Sequence, residues 1–337
     1  MSRKKWEQKL NQVWYQQGSV PWYLMGLSYV YQFFRGLHRL IMSYRKIPPF
    51  LRVPVLVVGN ITVGGTGKTP TVLALAQWLQ QQGRSPAVIS RGYGRLSKQV
   101  VSVSSLSTAA LVGDEPLLIW RNLHNVPVWV GSDRIALLQI IQKECPQVNV
   151  IISDDGLQNI DLPKNISVVV VDGIRQFGNK QLLPAGPLRE PLEKINDYHA
   201  VLWNGAPVSP ETFRIPAFVM RLLPVYWRAL SAESQVELSF FSGLSCHVVA
   251  GIGHPERFFQ QCSDLGIVVI PHVFPDHYRY QPHDLAFNDD NYILMTEKDA
   301  IKCLGWANAL MYYLPIVADL DRAFLKLIEM QLKNYDR

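Results

Sequence analysis

Cysteine is scarce in this chain of 337 residues. The four present, Cys145, Cys246, Cys262 and Cys303, form no CxxC pair, and no histidine pair sits beside them at metal-ligand spacing. That pattern excludes a disulfide scaffold and a cysteine-based metal knuckle, and it fits buried free thiols in a reducing cytoplasm. Internal repeats and low-complexity tracts are also missing, which excludes a solenoid or a fibrous array. No apolar run is long enough to cross a bilayer, because the best, residues 20–34, falls short of the roughly 20 residues needed. No small-residue cleavage site follows it, which argues against a secretory signal. Charged residues are 18% of the chain against 48% hydrophobic, which excludes a disordered chain and leaves material for a large core.

What is present points to anionic partners. The formal net charge is +6, which suits nucleic acid, a phosphorylated substrate or an acidic membrane without choosing among them. Near the N-terminus Trp22, Tyr23, Leu24, Met25, Leu27, Tyr29, Tyr31, Phe33 and Phe34 are followed by Arg35, His38, Arg39, Arg45 and Lys46. Bulky aromatics beside cations suit a helix lying in the headgroup layer. A helix packed on the protein's own core is the competing reading.

From residue 53 onward, short β-branched runs alternate with helical stretches. The pattern predicts strands over 53–58, 87–90, 128–130, 148–153, 166–172 and 199–203, and helices over 68–82, 115–122 and 133–144. Uninterrupted apolar stretches such as 168–171 predict strands covered on both faces. That gives an α/β fold with a parallel sheet and crossover helices. Pro207, Pro210, Pro216 and Pro224 crowd an irregular region with one strand-like stretch at 218–222, the candidate hinge. The pattern then restarts, with strands over 247–250, 267–271, 292–296 and 311–314 and helices over 255–265, 298–304 and 320–332. The expected organisation is an N-terminal helical segment 1–47, a P-loop domain 48–206, a hinge 207–240 and a smaller C-terminal α/β domain 241–337.

A buried strand ending at Val58 and Gly59 runs into Asn60, Ile61, Thr62, Val63, Gly64, Gly65, Thr66, Gly67, Lys68 and Thr69, where a helix begins. Glycines let backbone N–H groups converge on phosphate oxygens, and a helix N-terminus adds a favourable dipole. Residues 62–69 are therefore the candidate nucleotide site. Lys68 would bridge the β- and γ-phosphates, and the Thr69 hydroxyl would meet Mg²⁺. The strict motif places its first glycine where Thr62 stands, so Gly64 and Gly65 must supply the flexibility.

Asp154, Asp155 and Gly156 end another buried strand. An aspartate there can hold Mg²⁺; an ordinary Asp-Asp-Gly turn is the plainer alternative. Glu256 stands where a dinucleotide fingerprint at Gly251 and Gly253 would need its third glycine. Lys298 adjoins Asp299, which breaks a guanine-recognition pattern and tips the reading toward adenine. Asp114 and Glu115, after Gly113, would serve either as a helix cap or as a base and a metal contact. Arg91 and Arg95 after the second strand, and Arg189 after the fifth, fit a phosphorylated substrate or ordinary turns. His277, beside Asp276, is a candidate acid/base or orienting group.

In their order along the chain these residues resemble the tetraacyldisaccharide 4'-kinase family of lipid A biosynthesis. The matching groups are Gly59 and Asn60 with Gly64 to Pro70, then Ser90 to Gly94, Gly113 to Pro116, Asp154 to Gln158, Leu183 to Glu190, Gly251 to Pro255, Asp276 with His277, and Met295 to Ala300. The family shares the Thr62 departure. The resemblance implies transfer of the γ-phosphoryl of ATP to the 4'-hydroxyl of a tetraacylated, 1-phosphorylated glucosamine disaccharide, giving lipid IVA. It implies two α/β/α domains joined by a short β linker, with the active site between them. It assigns catalysis to Asp114 as base, His277 as its partner and Lys68. It assigns substrate contacts to Asn60, Arg91, Tyr93, Arg134, Gln158, Arg189 and Glu190, and metal contacts to Thr69, Glu115, Asp154 and Asp155. The implied cofactors are ATP and Mg²⁺. The implied setting is an anionic membrane surface, as a peripheral monomer on the cytoplasmic face of the bacterial inner membrane.

Two rivals share the phosphate loop. A P-loop ATPase switch would hydrolyse ATP and phosphorylate no acceptor. A nucleic-acid-binding ATPase would need a basic stripe with stacking aromatics, whereas the basic–aromatic cluster here is confined to the N-terminus, so no nucleic acid partner is expected.

Overall fold

Alternating burial on both faces builds the first sheet. The computed structural model describes residues 3–16, 18–43, 53–209, 211–232 and 234–336, with side chains described from residue 9. Arg45, Lys46, Pro210 and the expected boundary at 47/48 lie outside the described residues. In strand β1 (Val55–Gly59), Val55 and Val57 enter one core and Leu56 and Val58 the other, all fully buried. The same holds for β2 (Pro86–Ser90), β5 (Val150–Asp154), β6 (Ile166–Asp172) and β7 (Ala200–Asn204). Each such aliphatic side chain contributes roughly 1.5–3 kcal/mol by leaving water. With β3 (Val101–Ser102), β4 (Val128–Val130), β8 (Ala217–Pro224) and β15 (Ile316–Leu320) they form a nine-stranded sheet in the order β15-β8-β7-β6-β1-β5-β2-β4-β3. Only the two edges, β3 and β15, run antiparallel. Helices α3 (Lys68–Gln81), α4 (Ala109–Val112), α5 (Asp114–Asn122) and α9 (Arg322–Lys333) cover one face, and α6 (Arg134–Glu144) covers the other.

A second, six-stranded sheet runs β10 (Gln235–Val236), β9 (Trp227–Ala229), β14 (Met311–Leu314), β13 (Ile293–Thr296), β11 (Ser245–Ala250), β12 (Val268–Val273). Helix α7 (Pro255–Asp264) packs on one face through Phe258 and Cys262, and α8 (Glu297–Cys303) on the other through Ala300 and Cys303.

The chain crosses between the sheets twice, at neighbouring points. Strand β8 ends at Pro224 and β9 starts at Trp227, while β14 ends at Leu314 and β15 starts at Ile316. Since β8 pairs with β15 and β9 with β14, the two crossings run side by side as one antiparallel ribbon. The expected C-terminal unit 241–337 is therefore split. Its sheet ends at Leu314, and residues 316–333 return to the first unit, where Phe324, Ile328 and Leu332 are fully buried. The expected final helix of 320–332 starts later for the same reason, since 316–320 pair as an edge strand.

Two helices precede this frame, α1 (Arg3–Tyr15) and α2 (Trp22–Ser43). Their inner faces dock on the loop around residues 177–190. Trp14 Nε1 donates to Pro184 O at 3.0 Å, Ser28 Oγ to Leu182 O at 3.0 Å, and Tyr31 Oη to Arg189 O at 2.9 Å. Arg35 pairs with Glu190 at 2.8 Å. Leu24, Ser28, Tyr31 and Arg35 recur at helical spacing, so one stripe of α2 is bound and the other is bare. Trp22 is 86% exposed, Phe33 68% and Phe34 59%. Among the described residues no helix is long and apolar enough to cross a membrane.

Candidate active site

From Gly64 onward the phosphate loop is held by its carbonyls, which leaves N–H groups there for a ligand. Gln158 Nε2 donates to Asn60 O (2.9 Å), Asn60 Nδ2 to Gly64 O (3.3 Å), Arg175 Nη2 to Gly65 O (2.6 Å) and Asn204 Nδ2 to Thr66 O (3.1 Å). Val63 N bonds Pro187 O at 2.9 Å, so the loop leans on the Leu183–Glu190 segment of the chain. Gly67 turns the chain into α3 with φ +99°, and a Cβ there would lie 2.9 Å from Met220 Cε and 3.0 Å from Asn204 Nδ2. Helix α3 has neither a side-chain cap nor an acidic residue in its first turn. Its leading N–H donors and positive dipole end are thus available to an anion, with Lys68 beside them.

Carboxylates gather opposite. Asp155 lies 3.8 Å from Lys68 Nζ and 3.1 Å from Arg189 Nη1. Burial works against its charge, but Lys68 and Arg189 outweigh burial and hold its carboxyl below the usual range. Asp154 differs. It is 1% exposed, and among the described residues neither carboxylate oxygen has a hydrogen-bond partner. Burial first, then repulsion from Glu115 and Asp155, pushes its pKa up to about 7. An orphaned, buried carboxylate crowded by two others is the kind of donor a divalent cation satisfies. Among the described residues no three His, Cys, Asp or Glu side chains form a ready-made cage. Mg²⁺ needs no such cage, because it is usually held by one or two carboxylates with water and substrate phosphates. Arg134, almost fully buried, donates from Nη2 to Asp154 O at 3.2 Å, and burial lowers its pKa to about 10.

Across the cleft the second unit meets α5. His277 Nδ1 lies 3.0 Å from Asp114 Oδ2. Lys298, on α8, reaches Glu115 Oε1 at 3.3 Å, Asp276 Oδ1 at 3.4 Å and His277 Nε2 at 3.4 Å. Lys302, one turn on, is 3.9 Å from Asp114 Oδ2 and 2.8 Å from the fully buried Asp299. Burial opposes the Asp114 charge, but the His277 hydrogen bond, Lys302 and Lys298 together keep its carboxyl below the ordinary range. His277 itself sits at φ +60°, a conformation non-glycine residues adopt only when their surroundings enforce it. The Tyr93 ring lies 5.1 Å from its ring.

These groups border one cavity of about 2180 Å³. Residues 63–69, Arg91, Tyr93, Glu115, Arg134, Asp154, Asp155, Gln158, Arg189 and His277 line it, as do Trp14, Tyr31 and His38 from the N-terminal helices. Asn60, Thr62, Asp114 and Glu190 stand behind its wall. Asn60 braces the phosphate loop, and Glu190, expected to contact substrate, pairs with Arg35. Motif reading overlooked Arg175, Asn204, Lys298 and Lys302. Arg175 follows a buried strand and Asn204 ends one, at the same sheet edge as the phosphate loop, which is a usable signal. Lys298 enters the sequence reading only within a rejected nucleotide motif and the resemblance, and Lys302 in neither.

A family model described as Tetraacyldisaccharide-1-P 4'-kinase matches residues 20–333. A tetraacyldisaccharide 4'-kinase of Methylobacillus flagellatus is 42% identical over 96% of this chain and 95% of its own length. One from Alkalilimnicola ehrlichii is 46% identical over 84% of this chain and 83% of its own. Among solved structures, LpxK from Aquifex aeolicus in complex with ATP superposes with a TM-score of 0.76 at 30% identity, covering 91% of this chain and 98% of that one.

Proposed function

The chain belongs to the tetraacyldisaccharide-1-P 4'-kinase family, and from that premise we propose that it moves the γ-phosphoryl of ATP to the 4'-hydroxyl of a tetraacylated, 1-phosphorylated disaccharide, giving lipid IVA. One observation separates this from an ATPase switch. His277 lines the cavity and its partner Asp114, 3.0 Å away, stands just behind that wall, so a carboxylate–histidine pair is at hand for an acceptor hydroxyl.

Residues 63–69 bind the triphosphate through the α3 N-terminus, with Lys68 on the charge that builds at the γ-phosphoryl. Thr69 and Asp154, with Glu115 and Asp155 nearby, would hold Mg²⁺, which supplies charge neutralisation at the phosphate oxygens. Asp114 accepts the 4'-hydroxyl proton as that oxygen bonds to phosphorus. The bond to the β–γ bridging oxygen breaks and ADP leaves. Arg91, Arg134 and Arg189 line the cavity and suit the acceptor's own phosphate. The test is incubation with γ-labelled ATP and the 1-phosphorylated tetraacyl disaccharide, with and without Mg²⁺, followed by lipid separation. A labelled lipid formed only with the metal is expected. ATP hydrolysis without labelled lipid would return the reading to a switch, and full activity in chelator would remove the metal assignment.

The bare face of α2 fits a peripheral seat on an anionic bilayer, with the cavity opening beside it. Each aromatic that enters the interface would add roughly 1.5–3 kcal/mol, and each nearby cation about 1 kcal/mol. The cytoplasmic face of the inner membrane suits an enzyme that draws on ATP. Replacing Trp22, Phe33 and Phe34 together by Ser should abolish flotation with anionic vesicles and leave Tm nearly unchanged, because all three are exposed. Undiminished flotation of the triple variant would refute the assignment.

A further inference from the structure

We propose that Lys298 is a positioning residue that fixes the tautomer of His277 and thereby makes Asp114 the sole acceptor of the substrate proton. The inference deepens the kinase reading and rests on it for the identity of the acceptor.

A neutral imidazole has one donor and one acceptor nitrogen, whereas an ammonium has donors only. Lys298 Nζ lies 3.4 Å from His277 Nε2, so that nitrogen must present its lone pair. The ring proton then sits on Nδ1 and points to Asp114 Oδ2 at 3.0 Å. The opposite tautomer would set an N–H against an ammonium and a ring lone pair against a carboxylate. Asp276 Oδ2 is 3.9 Å from Nε2, too far to accept from it and reverse the choice.

The remaining neighbours agree. Tyr93 covers the ring, and Lys302 lies nearest Asp114 and Asp299. Lys298 Nζ has carboxylate oxygens of Glu115 at 3.3 Å and Asp276 at 3.4 Å, partners that suit an ammonium. His277 therefore orients Asp114 through Oδ2. The hydroxyl proton passes to Asp114 Oδ1, and His277 keeps its own. Lys298 also carries this choice between the two units, because its partners Glu115 and His277 come from different ones.

The experiment records the isotope-labelled imidazole nitrogens of the full-length protein without substrate, with the His277 signal assigned by its loss in His277→Gln. The wild-type chain should show the Nδ1–H tautomer. Lys298→Met should show a mixture, with kcat lowered at least about tenfold, since a wrong tautomer misaligns a catalytic carboxylate, and with KM for ATP little changed. Lys298→Arg, which keeps a charged donor, should recover the wild-type signal in large part. An Nε2–H tautomer in the wild-type protein, or an unaltered Nδ1–H signal in Lys298→Met, overturns the proposal. The spectrum needs neither lipid nor ATP, so a failure of the kinase reading would appear separately, as missing lipid product in the wild-type protein.

Discussion

Lys68→Ala should lower kcat by about a hundredfold or more, the usual cost of one preorganised charge at a developing anion. The reason is geometric. Lys68 is the first residue of a helix with no side-chain cap at its N-terminus; its side chain is 13% exposed and its ammonium lies 3.8 Å from Asp155. Replacement also removes the cation that would meet the nucleotide phosphates, so ATP affinity should fall as well. Steady-state assays of labelled lipid formation over a range of ATP concentrations would measure both. Near-wild-type turnover would sink the phosphate-loop assignment.

Asp114→Ala should lower kcat by roughly 10²–10⁴, the range for a positioned general base, with little change in KM for ATP. His277→Ala should cost less, since the histidine acts through the carboxylate. The double variant should lose clearly less than the product of the single losses, as expected of groups acting as a unit. Fully multiplicative losses would mean separate roles. A collapse of ATP affinity in Asp114→Ala would recast Asp114 as a metal or nucleotide contact and send the search for a base to Asp154 or Asp155.

Much of this was legible in the chain before its folding was known. A strand, a glycine turn and a helix start are local events, and so is an acidic pair at a strand end. The sequence pattern therefore places residues 60–69 and 154–155 at one sheet edge. What escaped was long-range pairing. Nothing near residue 316 says that it will leave one sheet for the edge of another. Nothing near Glu190 says that Arg35 will take its carboxylate. The lysines of α8 were hidden for a related reason: their partners Asp114 and Glu115 belong to the other unit, and local spacing carries no trace of that meeting. The N-terminal apolar residues fit both core and membrane surface, and the folded helix divides them, with Leu24 inward and Trp22, Phe33 and Phe34 outward.

The paired crossings at 224–227 and 314–316 set how the halves can move. A single tether would allow the smaller lobe to swivel in any direction. Two hydrogen-bonded strands make a flat flexure instead, soft to bending across its face and stiff to twist and shear. Such a strap returns its load along the same arc on every cycle. The lobe that brings His277 and Lys298 to α5 would then arrive in one orientation each time.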